Sequence, residues 1–263
     1  MRLPQSCLPS LSLPPATPVT TTTNELLDRF AAGDRRALAR ILSQIENGHW
    51  TAPPPADAPR PMVIGITGSG GAGKSTLVGA LVGHLRRSNI KVAVLACDPQ
   101  SPRSGGALLG DRVRVSMDPD DDGVYFRSFS TRGASGGIAP WVKDATAWLA
   151  AFGFEVVLVE TVGVGQDQFA VRDLVDVLVL VVTPMSGDEI QWEKAGLIEL
   201  VDLVAVNKAD QPGADRVRQQ LHTALALSED RADVPILSTV ATTGVGVPEL
   251  WDTVVAQYRR IRG

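Results

Sequence analysis

The run Gly68-Ser69-Gly70-Gly71-Ala72-Gly73-Lys74-Ser75 has the spacing GxxxxGK[ST]. Such a run can wrap a chain of phosphates. Its glycines let successive backbone N–H groups point at phosphate oxygens with no Cβ in the way. A helix opening near Gly73 adds its positive end. Lys74 then reaches the β- and γ-phosphates, and Ser75 ligates magnesium. Gly70, Gly71, Ala72, Gly73, Lys74, Ser75 and Thr76 are the expected nucleotide contacts. An apolar strand ahead and a helix behind separate this reading from a Gly-rich turn with a chance Lys-Ser.

Asn207-Lys208-Ala209-Asp210 follows the apolar run 203–206. A carboxylate held edge-on at Asp210 accepts both the N1–H and the N2 amino protons of guanine, donors that adenine lacks. Two charge-assisted hydrogen bonds at about 1.5–3 kcal/mol each give roughly 3–6 kcal/mol of discrimination. Asn207 is expected to brace the loop and Lys208 to cover the base. Alone, NKxD also fits a polar turn with Asp210 as a helix cap. Several β/α units downstream of a phosphate loop, it points to guanine.

Acids complete the set. Asp98 ends the apolar run 92–97, Asp111 closes the Gly-rich run 105–111, and Glu160 ends the apolar run 156–159 and opens Glu160-Thr161-Val162-Gly163. A carboxylate at the end of a buried strand beside a phosphate loop suits magnesium or its waters. Ser75, Asp98, Asp111 and Glu160 are the candidate metal ligands, and Lys74, Asp98, Asp111 and Glu160 the candidate catalytic groups. Gly163 is placed to give its N–H to a γ-phosphate. Singly, Asp98 and Asp111 fit turn caps before Pro99 and Arg112 equally well; their joint placement favours function.

The elements that must position these residues alternate along the chain. Apolar β-rich runs lie at 62–67, 92–97, 124–129, 156–161, 177–183, 203–206 and 234–237. Helical patterns lie at about 74–88, 139–152, 188–200, 212–228 and 247–260. The expected fold is α/β, of the P-loop NTPase type: a mostly parallel sheet, helices on both faces, and a short N-terminal helical extension. Ligands of such sheets bind at the carboxyl ends of the strands, where each motif falls. Residues 1–23 carry five prolines and a Thr run and read as a tail without a core. Residues 24–61 read as N-terminal helices, with Asp34 as an N-cap, and a Pro/Ala-rich linker; residues 62–263 form the GTPase domain.

Composition narrows the partners. The 263-residue chain is 44% apolar and 21% charged, with net charge -4, which argues against nucleic acid. No apolar run is long enough to span a bilayer. Cys7 and Cys97 make no disulfide framework or metal motif, and a reducing, cytoplasmic setting is expected. His49, His84 and His222 lack ligand spacing.

Together these residues resemble the MeaB/ArgK-type GTPases associated with methylmalonyl-CoA mutase. The stretches that carry the resemblance are 33–40, 65–76, 98–111, 126–139, 160–166, 187–191, 207–210 and 243–251. The resemblance implies phosphate and magnesium roles for Lys74, Ser75, Asp98, Asp111 and Glu160, and a second base-contacting loop at Ala241. It implies mobile switch loops at 98–114, 160–172 and 184–194, the last carrying Trp192 as a partner contact or a packing residue. It implies GTP/GDP and Mg2+ as ligands, and GTP hydrolysis coupled to loading or protecting adenosylcobalamin on an acyl-CoA mutase. Three features depart from the family pattern: Gly70 in place of Pro, Gln166-Asp167-Gln168, and a chain that stops soon after Trp251. The last gives the expectation of a monomer or a weak nucleotide-dependent dimer. A metallochaperone lacks its His-rich or Cys-rich tract here, NKAD speaks against an ATP-dependent kinase, and a regulatory module with slow turnover has the same motifs.

Overall fold

The computed structural model describes residues 22–99, 121–131, 139–161, 171–184, 196–227 and 231–263, without the side chains of 97–99, 130–131 and 139–140. Seven strands form one sheet: β1 (Met62–Thr67), β2 (Val92–Pro99), β3 (Val124–Thr131), β4 (Val156–Glu160), β5 (Val177–Val182), β6 (Leu203–Asn207) and β7 (Ile236–Thr239). Their order is β3-β2-β4-β1-β5-β6-β7, and every neighbouring pair is parallel. β1, which feeds the phosphate loop, is the central strand.

The strands are apolar on consecutive residues because both faces are covered. Val63, Val157, Leu178 and Val204 face a layer made by α1 (Thr23–Ala31), α2 (Arg35–Glu46), α4 (Ala139–Ala151) and α5 (Ala214–Ala226). Their neighbours Ile64, Val156, Val177 and Leu203 face α3 (Lys74–Arg87) and α6 (Val247–Arg262). The helices of residues 24–47 thus share the main core. They break at Gly33, with φ +81, and restart where Asp34 accepts the Arg36 N–H at 2.7 Å. Phe30 and Trp50 meet Trp148 of α4 edge-on, with ring centroids 4.9 and 5.4 Å apart. Arg127 of β3 donates to Ala39 O and Glu46 of α2, each at 3.0 Å.

Two expected elements differ. The last strand begins two residues later than its apolar run, because Val234 closes a turn onto Arg231 O and Pro235 has no N–H to give to a ladder. Of the helix expected at 188–200, residues 188–195 lie outside the described residues; the remainder holds a 3-10 turn, Leu197–Glu199, entered through Gly196 at φ +63.

The amino ends of β5 and β6 are tied down by buried aspartates. Asp176 accepts Val63 N–H at 2.9 Å, Arg60 at 2.8 Å and Arg262 at 2.5 Å. Asp202 accepts Leu178 N–H at 2.7 Å and Arg172 at 2.5 Å. Ahead of β3, Arg86 pairs with Asp121 at 2.8 Å and holds that carboxyl below its usual range, with help from the Gly123 N–H.

Candidate nucleotide site

The phosphate loop leaves β1 at Thr67 and enters α3 at Lys74. Its shape depends on glycine at two close approaches. Gly68 has φ +144, and a Cβ there would lie 2.1 Å from Val181 O of β5. Gly73 has φ +87, and a Cβ would lie 2.4 Å from Asn207 Nδ2. Gly70 and Gly71 are exposed at the rim, Ala72 is buried, and Thr76 is half-buried on the first turn of α3. Lys74 is only 8% exposed; its Nζ donates to Gly68 O and Ser69 O, each at 2.9 Å.

Ser75 Oγ donates to Glu160 Oε1 at 2.6 Å, and both residues are buried. This brings an alcohol from α3 and a carboxylate from β4 to one point. Asp98 lies in β2, beside β4 in the sheet, with its backbone paired to Ser130. Asp111 and Gly163 lie outside the described residues, as does Trp192. Among the described residues no group of three or more His, Cys, Asp or Glu is gathered for a metal.

Asn207, buried at the end of β6, joins three segments. Its Nδ2 donates to Ala72 O of the phosphate loop at 3.0 Å. Its Oδ1 accepts from Ala241 N–H at 3.2 Å and from Thr239 Oγ1 at 3.3 Å. Lys208 takes φ +56 and donates to Gly71 O at 2.9 Å. Ala209 N–H donates to Thr239 O at 3.0 Å. Asp210 beyond it is exposed at the rim, and Ala241 is buried behind the loop after β7.

The groups fit the ligands that the motifs imply. Gly68 and Gly73 let the loop pack directly against Val181 O and the Asn207 side chain, while nothing lies within 4 Å of the Cβ positions of Gly70 and Gly71 on its open side. Ser75 and Glu160 offer hard oxygen donors, the set that Mg2+ prefers over nitrogen or sulfur. Thr239 and the buried threonines Thr67 and Thr161 were not singled out by motif; their one sequence signal is a place at or just past a strand end.

Residues 54–262 match the family model described as methylmalonyl Co-A mutase-associated GTPase MeaB. The chain belongs to the MeaB family. Among relatives, a Pyrococcus horikoshii protein named "Putative GTPase PH0274" is 44% identical over 241 residues, covering 88% of this MeaB-family chain and 76% of the relative. A fused isobutyryl-CoA mutase of Geobacillus kaustophilus is 34% identical over 245 residues, covering 86% of this chain and 22% of that protein. A crystal structure of an LAO/AO transport system kinase superposes with a TM-score of 0.64 at 22% identity, over 91% of this chain and 78% of the other, a likeness of fold. The solved structure agrees with a P-loop fold, and the family description and the relative named a putative GTPase agree with GTPase activity at family level. Among the described residues no helix is long and apolar enough to cross a membrane.

Proposed function

We propose that this chain binds GTP and GDP with magnesium, hydrolyses GTP, and uses that cycle to assist loading or protection of an adenosylcobalamin-dependent acyl-CoA mutase. The observation that carries the nucleotide reading is Asn207. One buried amide ties the phosphate loop at Ala72 O to the loop at Ala241, so the two halves of a nucleotide site are held at a fixed separation.

In this reading the Lys74 ammonium exchanges the carbonyls of Gly68 and Ser69 for β- and γ-phosphate oxygens. Ser75 and Glu160 would hold Mg2+, which offsets phosphate charge when bound. Asp98, Asp111 and Gly163 keep the roles that their sequence positions give them. Asp210, on the rim past Lys208, accepts the two guanine donors. The mutase as partner is supported by the family description and by the relative named a fused isobutyryl-CoA mutase, in which a stretch like this chain is part of one polypeptide.

Competition with a fluorescent GDP tests the base. GTP and GDP are expected to bind at least about a hundredfold tighter than ATP, the fold-change for roughly 3 kcal/mol. Asp210→Asn is expected to shift preference toward xanthine nucleotides, whose C2 oxygen accepts where guanine donates. Equal competition by ATP removes the guanine assignment. Adding the mutase is expected to change GTP turnover. By linkage, the mutase should also bind the GTP-analogue and GDP forms with different affinity. Identical binding in the analogue, GDP and nucleotide-free states leaves a GTPase without that partner.

A further inference from the structure

Buried threonines stand at the rim of the site on four strands. Thr67 ends β1, Thr161 follows β4, Thr183 follows β5, and Thr239 ends β7; they are 0, 2, 4 and 0% exposed. Two of them touch. Thr161 Oγ1 donates to Thr67 Oγ1 at 3.1 Å, with Ile66 O a longer alternative acceptor at 3.4 Å. We propose that the Thr161–Thr67 hydroxyl pair is a positioning device that holds the Glu160 carboxylate against Ser75 and thereby sets the affinity of this site for Mg2+. The inference rests on the reading of Ser75 and Glu160 as magnesium ligands.

The case is one of leverage. Ser75 follows the loop that leaves β1, and Glu160 is the last residue of β4. How closely the two meet depends on how β1 and β4 are aligned at their final rung. The ladder's last pair is Ile66 with Glu160. Past it, the Thr161 N–H still donates to Ile66 O at 3.0 Å. On its other side Glu160 pairs with Ala96 of β2, so it is on the β1 side that the chain leaving β4 is held by that one backbone bond and can turn about it. The hydroxyl contact lands one residue further along β1, on Thr67, so the chain leaving β4 is held to β1 at two separate points. Pivoting would swing the Glu160 carboxylate off Ser75 Oγ, now 2.6 Å away. Branching at Cβ limits the rotamers of Thr161 and aims its hydroxyl. The pair is also uncharged, so it adds no field that would compete with phosphate.

The test reads magnesium without using turnover. Release of a fluorescent GDP from the full chain is followed across a Mg2+ titration, and the half-saturating Mg2+ is compared among variants, with melting temperatures in parallel. Thr161→Val keeps the shape and the backbone bond but deletes the hydroxyl. It is expected to raise half-saturating Mg2+ about tenfold, the worth of one buried hydrogen bond. Thr161→Ser is expected to stay within about twofold of wild type, because the O–H survives. Thr67→Val attacks the same pair from β1 and is expected to match Thr161→Val; the double variant is expected to be no worse than either single. Glu160→Gln is the reference. If it raises half-saturating Mg2+ while both valine variants behave as wild type, the threonine pair is only structural and the proposal fails. If Glu160→Gln leaves the Mg2+ dependence unchanged, the magnesium reading of the site fails with it. Should Thr161→Val not fold, Thr67→Val alone decides between these outcomes.

Discussion

At the carboxyl ends of the strands the buried polar groups are mostly neutral: the threonines, the amide of Asn207 and the backbone carbonyls that hold Lys74. At the amino ends of β5 and β6 they are aspartates clamped by arginines, Asp176 by Arg60 and Arg262 and Asp202 by Arg172. The difference follows from what each end must do. A full ion pair around a buried carboxylate is costly to open, which suits joints that never open. In the proposed reading the binding end receives phosphates and a cation, and the buried charged side chains described there, Lys74 and Glu160, rest on a carbonyl and hydroxyl framework whose hydrogen bonds can be traded for those of a ligand.

The sharpest way to break this contrast is to cut one charged group from each end. Lys74→Ala is expected to weaken GTP binding by about two to four orders of magnitude, from roughly 3–6 kcal/mol for two charge-assisted hydrogen bonds. Its melting temperature is expected to stay near that of the parent. A fluorescence titration beside a thermal melt checks both; retained affinity with a lowered melting temperature would move Lys74 into the structural set. Asp176→Ala should do the reverse. It leaves the buried Val63 N–H without its acceptor and releases Arg60 and Arg262, whose side chains are 63 and 37% exposed, to solvent; the expected loss is about 1–3 kcal/mol in urea unfolding, with GDP affinity of the folded protein unchanged. A GDP affinity that falls along with stability would show that the two ends are not separable.

The smallest effect is expected ahead of β3, at the part-exposed Arg86–Asp121 pair. Arg86 holds the Asp121 carboxyl below its ordinary value of 3.8. A carboxyl whose folded value is depressed adds stability above its unfolded value and loses that contribution as pH falls through the folded one. Asp121→Asn is therefore expected to cost less than about 1 kcal/mol at neutral pH. The difference from wild type is expected to shrink progressively as pH falls below 3.8 in parallel unfolding curves.

What was legible in the sequence is what is contiguous. The phosphate loop and NKAD each sit within a few residues, and apolar runs locate all seven strands because both faces of the sheet are buried. The cross-links were not legible. That Asn207 meets Ala72 O, or that Gly73 must be glycine because an asparagine side chain fills the space of its Cβ, depends on β1 and β6 flanking β5. Asp176 and Asp202 sit at the starts of apolar runs, where an acid reads as a turn residue. The partners that make them joints, Arg262 and Arg172, are set by topology. The late start of β7 was hidden because Val234 is as apolar as a strand residue, and the proline behind it decided the boundary.

The strand order also fixes a timetable. β1 ends at Thr67, yet the two strands that flank it, β4 and β5, start at Val156 and Val177, and the asparagine that closes the loop from the side comes at position 207. During synthesis the glycine loop therefore emerges long before it has walls. A chain cut short of Asn207 carries every residue of the phosphate motif and lacks the side chain that ties it to the base loop. In the proposed reading tight nucleotide capture waits for β6 and Asn207, so bound GDP would mark a chain whose β6 has docked.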